Sequence, residues 1–211
     1  APQEKNLVIK ALNALKTRYE IPPLEIHLLK AIPFGAGLGG GSADAAFMLK
    51  LVNDFCGLDI HPDELEAIAS TDCPFFIRNT PVFATGTGNQ FEPVDLSLKD
   101  YYLCLIKPDV AVSTPEAYSM VTPATPETSL KEIIRLPVSE WKERMVNDFE
   151  RSVFPKHPVI ERIKDTLYEG GALYAAMSGS GSSVFGLFEK PTHFKEQSLF
   201  SDCFLWEGQL S

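Results

Sequence analysis

The segment Pro33-Phe-Gly-Ala-Gly-Leu-Gly-Gly-Gly-Ser-Ala-Asp-Ala-Ala46 places five glycines in seven positions and then passes, without a spacer, into helix-forming sequence. Glycine admits φ > 0 and carries no Cβ to hold a ligand away, so several backbone N–H groups can converge on an anion at a helix N-terminus. The chemistry such a run offers is phosphate binding. The elements that must position it flank it directly. Upstream, Leu24-Glu-Ile-His-Leu-Leu29 alternates as a strand does; downstream, Met48, Leu51, Val52 and Phe55 fall at the i, i+3, i+4, i+7 spacing of a helix that stops at Gly57.

Residue types separate the ways of using such a loop. Gly35-x-Gly37-x-x-Gly40 satisfies the dinucleotide fingerprint, which also needs an acidic residue closing a second strand about 20 residues on. The acid at that distance is Asp59, in Leu58-Asp-Ile-His-Pro62, which leads into the polar helix start Asp63-Glu-Leu-Glu66 and not out of a strand. A P-loop requires a lysine directly after the glycines to neutralise the β- and γ-phosphates, and none follows until Lys50. A turn that merely packs tightly does not need so many glycines, each of which costs backbone entropy.

Composition sets outer bounds. At 211 residues and 45% hydrophobic, the chain can bury one large core or two modest ones. No apolar run reaches membrane-spanning length and Ala1-Pro-Gln-Glu-Lys5 lacks the features of a signal peptide, so a cytoplasmic protein with no membrane partner is expected. A net charge of −9 repels polyanions and leaves nucleic acid without a basic face, although local amide dipoles still suit a small anionic nucleotide. Cys56, Cys73, Cys104 and Cys203 show no paired spacing and read as buried reduced thiols; the four histidines are equally scattered.

The chain divides into two expected halves. Residues 1–94 comprise a helix from Leu7 to Tyr19, a strand, the glycine loop, two helices and the strand pair Val82-Phe-Ala84 and Gln90-Phe-Glu92. Residues 95–211 follow the turn-rich stretch Glu92–Leu98; they open with the strand Tyr101–Ile106 and close on the paired strands Ala172–Met177 and Ser183–Phe188, with helices between and after. Strand, helix, hairpin, helix, strand is the ferredoxin-like order. Pro123-Ala-Thr-Pro-Glu-Thr128 reads as a surface loop, and Ser178-Gly-Ser-Gly-Ser-Ser183 is a second flexible loop with more glycine and serine than a hairpin needs.

Pro33-x-x-x-Gly37-Leu-Gly-x-x-Ser-Ala43 resembles the second motif of the GHMP kinases, the family of galactokinase, homoserine kinase and mevalonate kinase. Asp72-Cys-Pro-Phe-Phe76, Ser113-Thr-Pro-Glu-Ala-Tyr118, Asn147-Asp-Phe-Glu150 and Met177-Ser-Gly-Ser-Gly181 follow in an order similar to that of one branch of the family. That branch acts on cytidine diphosphate methylerythritol. The resemblance implies an α+β protein with the two-domain GHMP kinase fold: an N-terminal unit like domain 2 of ribosomal protein S5 and a ferredoxin-like C-terminal unit. It also implies an ATP- and Mg²⁺-dependent kinase of isoprenoid precursor synthesis, monomeric or homodimeric, that phosphorylates the 2-hydroxyl of its substrate. Homoserine or mevalonate kinase-like activity, or nucleotide binding without catalysis, are the alternatives.

Residue roles carry over by position. Pro33, Gly35, Gly37, Leu38, Gly39, Gly40 and Gly41 would line the phosphates, and Lys30 would lie beside the adenine. The Ser42 hydroxyl, at the helix start, would cap free N–H groups or reach a phosphate-bound Mg²⁺; the family pattern favours the metal. The family's catalytic aspartate corresponds to Asp72. A carboxylate is far too weak a base to strip an alcohol in the ground state, but in a loose transition state the attacking oxygen keeps its proton until late. A carboxylate that orients the hydroxyl and then accepts the proton therefore suffices. Without the resemblance, Asp72 would read as the cap of a turn before Pro74. Gly179 and Ser180 of the third motif would back the phosphate loop and close over substrate, while Thr114 and Tyr118 would flank the cytosine, where an aromatic ring can stack on a base. Tyr118 alone would read as core.

Two departures from the family pattern stand out. The opening strand Asn-Ala-Lys-x-Asn-Leu, whose lysine lies against the catalytic aspartate, has no counterpart, nor has the aromatic-His cytidine segment; Asn6-Leu-Val-Ile-Lys10 begins an amphipathic helix, so Lys10 is not catalytic. Leading strands of the first domain are expected to be missing from the sequence. Ala69-Ser-Thr-Asp72 is also a shorter approach to the aspartate than the family uses.

Overall fold

Asn6 opens the first helix, its side-chain oxygen accepting the Val8 N–H at 3.0 Å. In this computed structural model, which describes residues 6–69, 74–86 and 88–211, the chain forms two compact units. The first holds the described residues up to Ala31 with Gly39–Asp95; the second holds Ile32–Leu38 with Leu96–Ser211. The segment Ile32–Leu38, expected with the first half, groups with the second because its carbonyls are bonded there.

In the first unit, α1 (Leu7–Lys16) buries Val8, Ala11, Leu12 and Leu15 along one stripe and stops short of the expected Tyr19. It packs against α2 (Gly40–Cys56), whose buried face runs through Ala45, Ala46, Met48, Leu49 and Val52. The small alanines let the two helices approach. The stripe expected from spacing is thus half right: Leu51 and Phe55 are 63% and 73% exposed. Two short helices, α3 (Pro62–Ile68) and α4 (Pro74–Arg78), follow, joined by Arg78 pairing with Asp63 and Glu66. The start of α3 just after Asp59 agrees with the reading that this acid does not close a strand. Leu24 and Ile26 pack into the core, but Leu24–Leu29 has no ladder partner among the described residues and is not a strand. The hairpin β1 (Val82–Thr85) and β2 (Gln90–Pro93) pairs Val82 with Pro93.

The second unit is built on β3 (Tyr102–Lys107), β4 (Tyr174–Met177), β5 (Val184–Phe188) and β6 (Phe204–Gln209), antiparallel in the order β4-β5-β3-β6. That order is the ferredoxin-like one expected. Side chains alternate between two apolar layers. Cys104, Ile106, Ala175, Met177, Val184 and Phe188 face α8 (Pro158–Glu169) through Ile160, Ile163 and Leu167. Leu103, Tyr174, Ala176, Phe185 and Leu187 face Ile133, Val138 and Trp141. Three short helices, α5 (Thr114–Tyr118), α6 (Leu130–Ile133) and α7 (Glu150–Val153), lie in the connection from β3 to α8. The helix expected before the last strand is absent among the described residues, where two 3-10 turns, Phe194–Glu196 and Ser198–Phe200, take its place. Of the described cysteines, all free, Cys104 is buried while Cys56 and Cys203 are only half-buried, which corrects the expectation for those two; Cys73 lies outside the described residues.

Candidate active site

Three of the loop's glycines, Gly35, Gly37 and Gly39, have φ of 63°, 72° and 64°. Their alternation with ordinary residues turns successive carbonyls to one side. The Gly35 and Ala36 carbonyls accept the Ser182 and Ser183 N–H groups at 3.3 and 3.2 Å, and the Gly37 carbonyl accepts the Ser178 hydroxyl at 3.0 Å. The approach leaves no room for a side chain: a Cβ on Gly37 would lie 2.1 Å from the Ser178 carbonyl oxygen, and one on Gly179 would lie 2.9 Å from the Gly37 carbonyl oxygen. The loop after β4 therefore grips the glycine run by its acceptors.

The donors are left over. Among the described residues, none of the N–H groups from Gly37 to Ser42 makes a hydrogen bond; the first N–H used is that of Ala43, donated to the Gly39 carbonyl at 2.9 Å. Gly39 caps α2 in the left-handed conformation with no side-chain cap, over the Phe76 ring. The Ser42 hydroxyl, at the third helical position, also makes no bond among the described residues, so the capping alternative for Ser42 is not what the fold uses. Unbonded amides at the start of an uncapped 17-residue helix are donors of the kind that phosphate oxygens accept.

The remaining expected residues are distributed as follows. Pro33 and Leu38 are half-buried within the loop. Lys30 Nζ pairs with the Asp44 carboxylate on the first turns of α2, both about a quarter exposed. This gives Asp44 a cation and explains how a carboxylate is tolerated beside an anion site. Gly179 and Ser180 lie in the loop that grips Gly37. Thr114 opens α5, capped by Ser113; Tyr118 closes it, 59% exposed and edge-on to Phe149 with ring centroids 4.7 Å apart. The ring is on the surface, not in the core. Asp72 lies outside the described residues.

Two residues that the motif spacing does not single out, Asn147 and Glu150, hold the end of β4. Asn147 Nδ2 donates to the carbonyls of Met177 and Gly179 at 2.7 and 2.8 Å. Glu150, buried, accepts the Met177 N–H at 2.9 Å and pairs with Lys164 at 2.6 Å. Spacing alone does not mark them, because their partners lie about 30 residues on at the end of β4.

Models of the GHMP kinases N terminal domain and the GHMP kinases C terminal match residues 6–76 and 129–197. The 4-diphosphocytidyl-2-C-methyl-D-erythritol kinase of Parabacteroides distasonis is 97% identical over 100% of this chain and 79% of its own length; that of Bacteroides fragilis is 60% identical over 97% and 76%. Among solved structures, a 4-(cytidine 5'-diphospho)-2C-methyl-D-erythritol kinase superposes with a TM-score of 0.82 at 28% identity, covering 99% of this chain and 79% of the other. The Methanococcus jannaschii mevalonate kinase, at 17% identity and a TM-score of 0.71 over 97% and 75%, shares the fold.

Proposed function

This chain belongs to the GHMP kinase family, and on that premise we propose that it phosphorylates 4-diphosphocytidyl-2-C-methyl-D-erythritol at its 2-hydroxyl, with ATP as donor, in isoprenoid precursor synthesis. The observation that carries the reading is the row of unbonded amides from Gly37 into α2, which suits the oxygens of a triphosphate. The choice of acceptor rests on the relatives' name.

In this scheme the triphosphate lies along Pro33, Gly35, Gly37, Leu38, Gly39, Gly40 and Gly41, with Lys30 at the adenine end. Mg²⁺, which neutralises charge on the phosphates when bound, would be held by those phosphates and by the Ser42 hydroxyl. The residues present fit that ion. That hydroxyl has no other partner among the described residues, no cluster of three or more metal-ligating side chains occurs among them, and Mg²⁺ commonly takes few protein ligands. Asp72 orients the substrate hydroxyl and accepts its proton late. What supports this is Phe76, four residues on in the same string, whose ring lies against Gly39. Thr114 and the exposed ring of Tyr118 hold the cytosine, and Gly179 and Ser180 face the substrate. Among the described residues no helix is long and apolar enough to cross a membrane, and we assign the reaction to the cytoplasm.

Transfer of label from γ-labelled ATP to the cytidine substrate tests the reading. Asp72→Asn is expected to lower the rate by about 100-fold or more, as loss of a positioned proton acceptor does. A rate within about tenfold of the parent would remove Asp72 from the mechanism, and preferential transfer to homoserine or mevalonate would remove the substrate.

A further inference from the structure

We propose that Asn147 is a positioning residue for ATP: it fixes the loop after β4, and that loop in turn fixes the phosphate-binding glycines. The inference rests on the kinase reading above and assigns a task to a residue that does not itself reach the unbonded amides.

The connections run without a gap inside the second unit. Both hydrogens of the Asn147 amide are used, one on the Met177 carbonyl at 2.7 Å and one on the Gly179 carbonyl at 2.8 Å, while its oxygen accepts the Phe149 N–H at 3.0 Å. Glu150, three residues on, takes the Met177 N–H at 2.9 Å and is neutralised by Lys164 from α8. The last residue of β4 is thus held at both its N–H and its C=O by one four-residue string. From there the chain turns through Ser178 and Gly179, which contact Gly37 by a hydroxyl hydrogen bond and by close backbone approach. Holding the Gly37 carbonyl on that side directs the adjoining amides away from it.

An amide is the side chain this position requires. The two acceptors it faces are carbonyl oxygens, and a side chain of this size that offers two hydrogens in a fork is asparagine's alone. Aspartate has the same shape and keeps the bond to Phe149, yet it offers no hydrogen when ionised and sets a negative charge against two carbonyl oxygens. The consequence is not loss of a ligand contact but a loop free to leave Gly37. Only the fraction of molecules with the glycine run in place then binds ATP, so its apparent affinity falls by that fraction. The acceptor substrate is touched by this loop only through Gly179 and Ser180, while Thr114 and Tyr118 hold its cytosine, so its affinity falls by less.

The test is Asn147→Asp in the whole chain, with ATP affinity measured by calorimetry and steady-state constants measured for both substrates. The expected result is a rise of tenfold or more in the ATP dissociation constant and in its KM, with a clearly smaller rise in the KM of the cytidine substrate and kcat at saturating ATP within threefold. As control for a merely structural effect, Asn53→Asp disturbs a comparably engaged asparagine, bonded to the N–H and carbonyl of Ile60 at 2.9 and 3.3 Å, and is expected to leave ATP binding unchanged. Should Asn147→Asp fail to fold, Ser178→Ala decides, since it removes only the hydroxyl on Gly37 and is expected to weaken ATP about threefold. ATP binding unchanged in the folded Asn147→Asp protein, or in Ser178→Ala where that protein does not fold, overturns the proposal, as does an equal loss for both substrates. The parent protein binding no ATP at all would instead overturn the kinase reading on which the proposal rests.

Discussion

Replacing Gly37 with alanine places the added carbon 2.1 Å from the Ser178 carbonyl oxygen and 2.9 Å from that of Gly181, both backbone atoms that cannot swing aside. To reach the 3.4 Å of ordinary contact the two segments must separate by about 1.3 Å, enough to break the Ser178 hydroxyl bond to the Gly37 carbonyl. Two costs then set the magnitude. A non-glycine residue at φ 72° costs about 1–2 kcal/mol, and a hydrogen bond lost costs about 1 kcal/mol. The conformation that offers the amides is therefore disfavoured by about 2–3 kcal/mol, and an equilibrium shifted by that much lowers apparent ATP affinity roughly 30- to 150-fold. Calorimetric titration with ATP reads this directly. Gly57→Ala supplies the comparison: its φ of 59° carries a similar backbone cost at the end of α2 with nothing within 4 Å, so it is expected to lower stability and leave ATP binding alone. ATP affinity within threefold of the parent for Gly37→Ala would refute the idea that the fit between these two loops orders the phosphate site.

Two further outcomes follow from groups away from that site. Burial would raise the Glu207 carboxyl, but the Thr192 hydroxyl and the Phe194 and Lys195 N–H groups outweigh it and hold the group below its ordinary value of 4.5. A carboxyl more acidic folded than unfolded stabilises the fold above the unfolded value and loses that contribution as pH falls through the folded one. Glu207→Gln is thus expected to melt below the parent at neutral pH and to converge with it in acid; a gap that stays constant across that range would contradict the assignment. Burial pushes the Cys104 thiol up to about 12, so at pH 8 iodoacetamide should leave Cys104 unmodified in the folded protein while Cys56 reacts, with Cys104 labelled only after denaturation. Mass spectrometry giving equal rates for Cys104 and Cys56 would show that this core opens more readily than its packing indicates.

How much of this was visible in the order of residues depends on whether a feature is made locally. The helix starts, the β1–β2 hairpin and the strands of the second unit's hairpin are set by spacing within a few residues, and they lie where spacing puts them. Features decided by a partner were not visible. Leu24–Leu29 has the alternation of a strand, but a strand exists only through a neighbour's ladder. Leu51 and Phe55 share the helical spacing of Met48 and Val52, yet α1 covers the side of α2 that carries Ala45 and Leu49. Strand β6 was implied by the ferredoxin-like order but not placed, because Glu207 and Gly208 interrupt its alternation; its register is set by β3, about a hundred residues earlier.

The proposed phosphate site shows the same division within one loop. The glycines announce that backbone will meet an anion, but not which face of the backbone, since amide and carbonyl point opposite ways along the same peptide. That choice is made by Ser178, which lies 141 residues from Gly37. Once the second loop takes the acceptors, the donors have no partner among the described residues, and the helix that follows has no side-chain cap. A binding site made of main chain is in this sense specified twice: by glycines that permit the approach, and by a distant serine, glycine and asparagine that decide its polarity. Alteration of the second group should therefore weaken ATP binding even though no atom of Asn147 adjoins the amides, an outcome that a site made only of the glycine run would not produce.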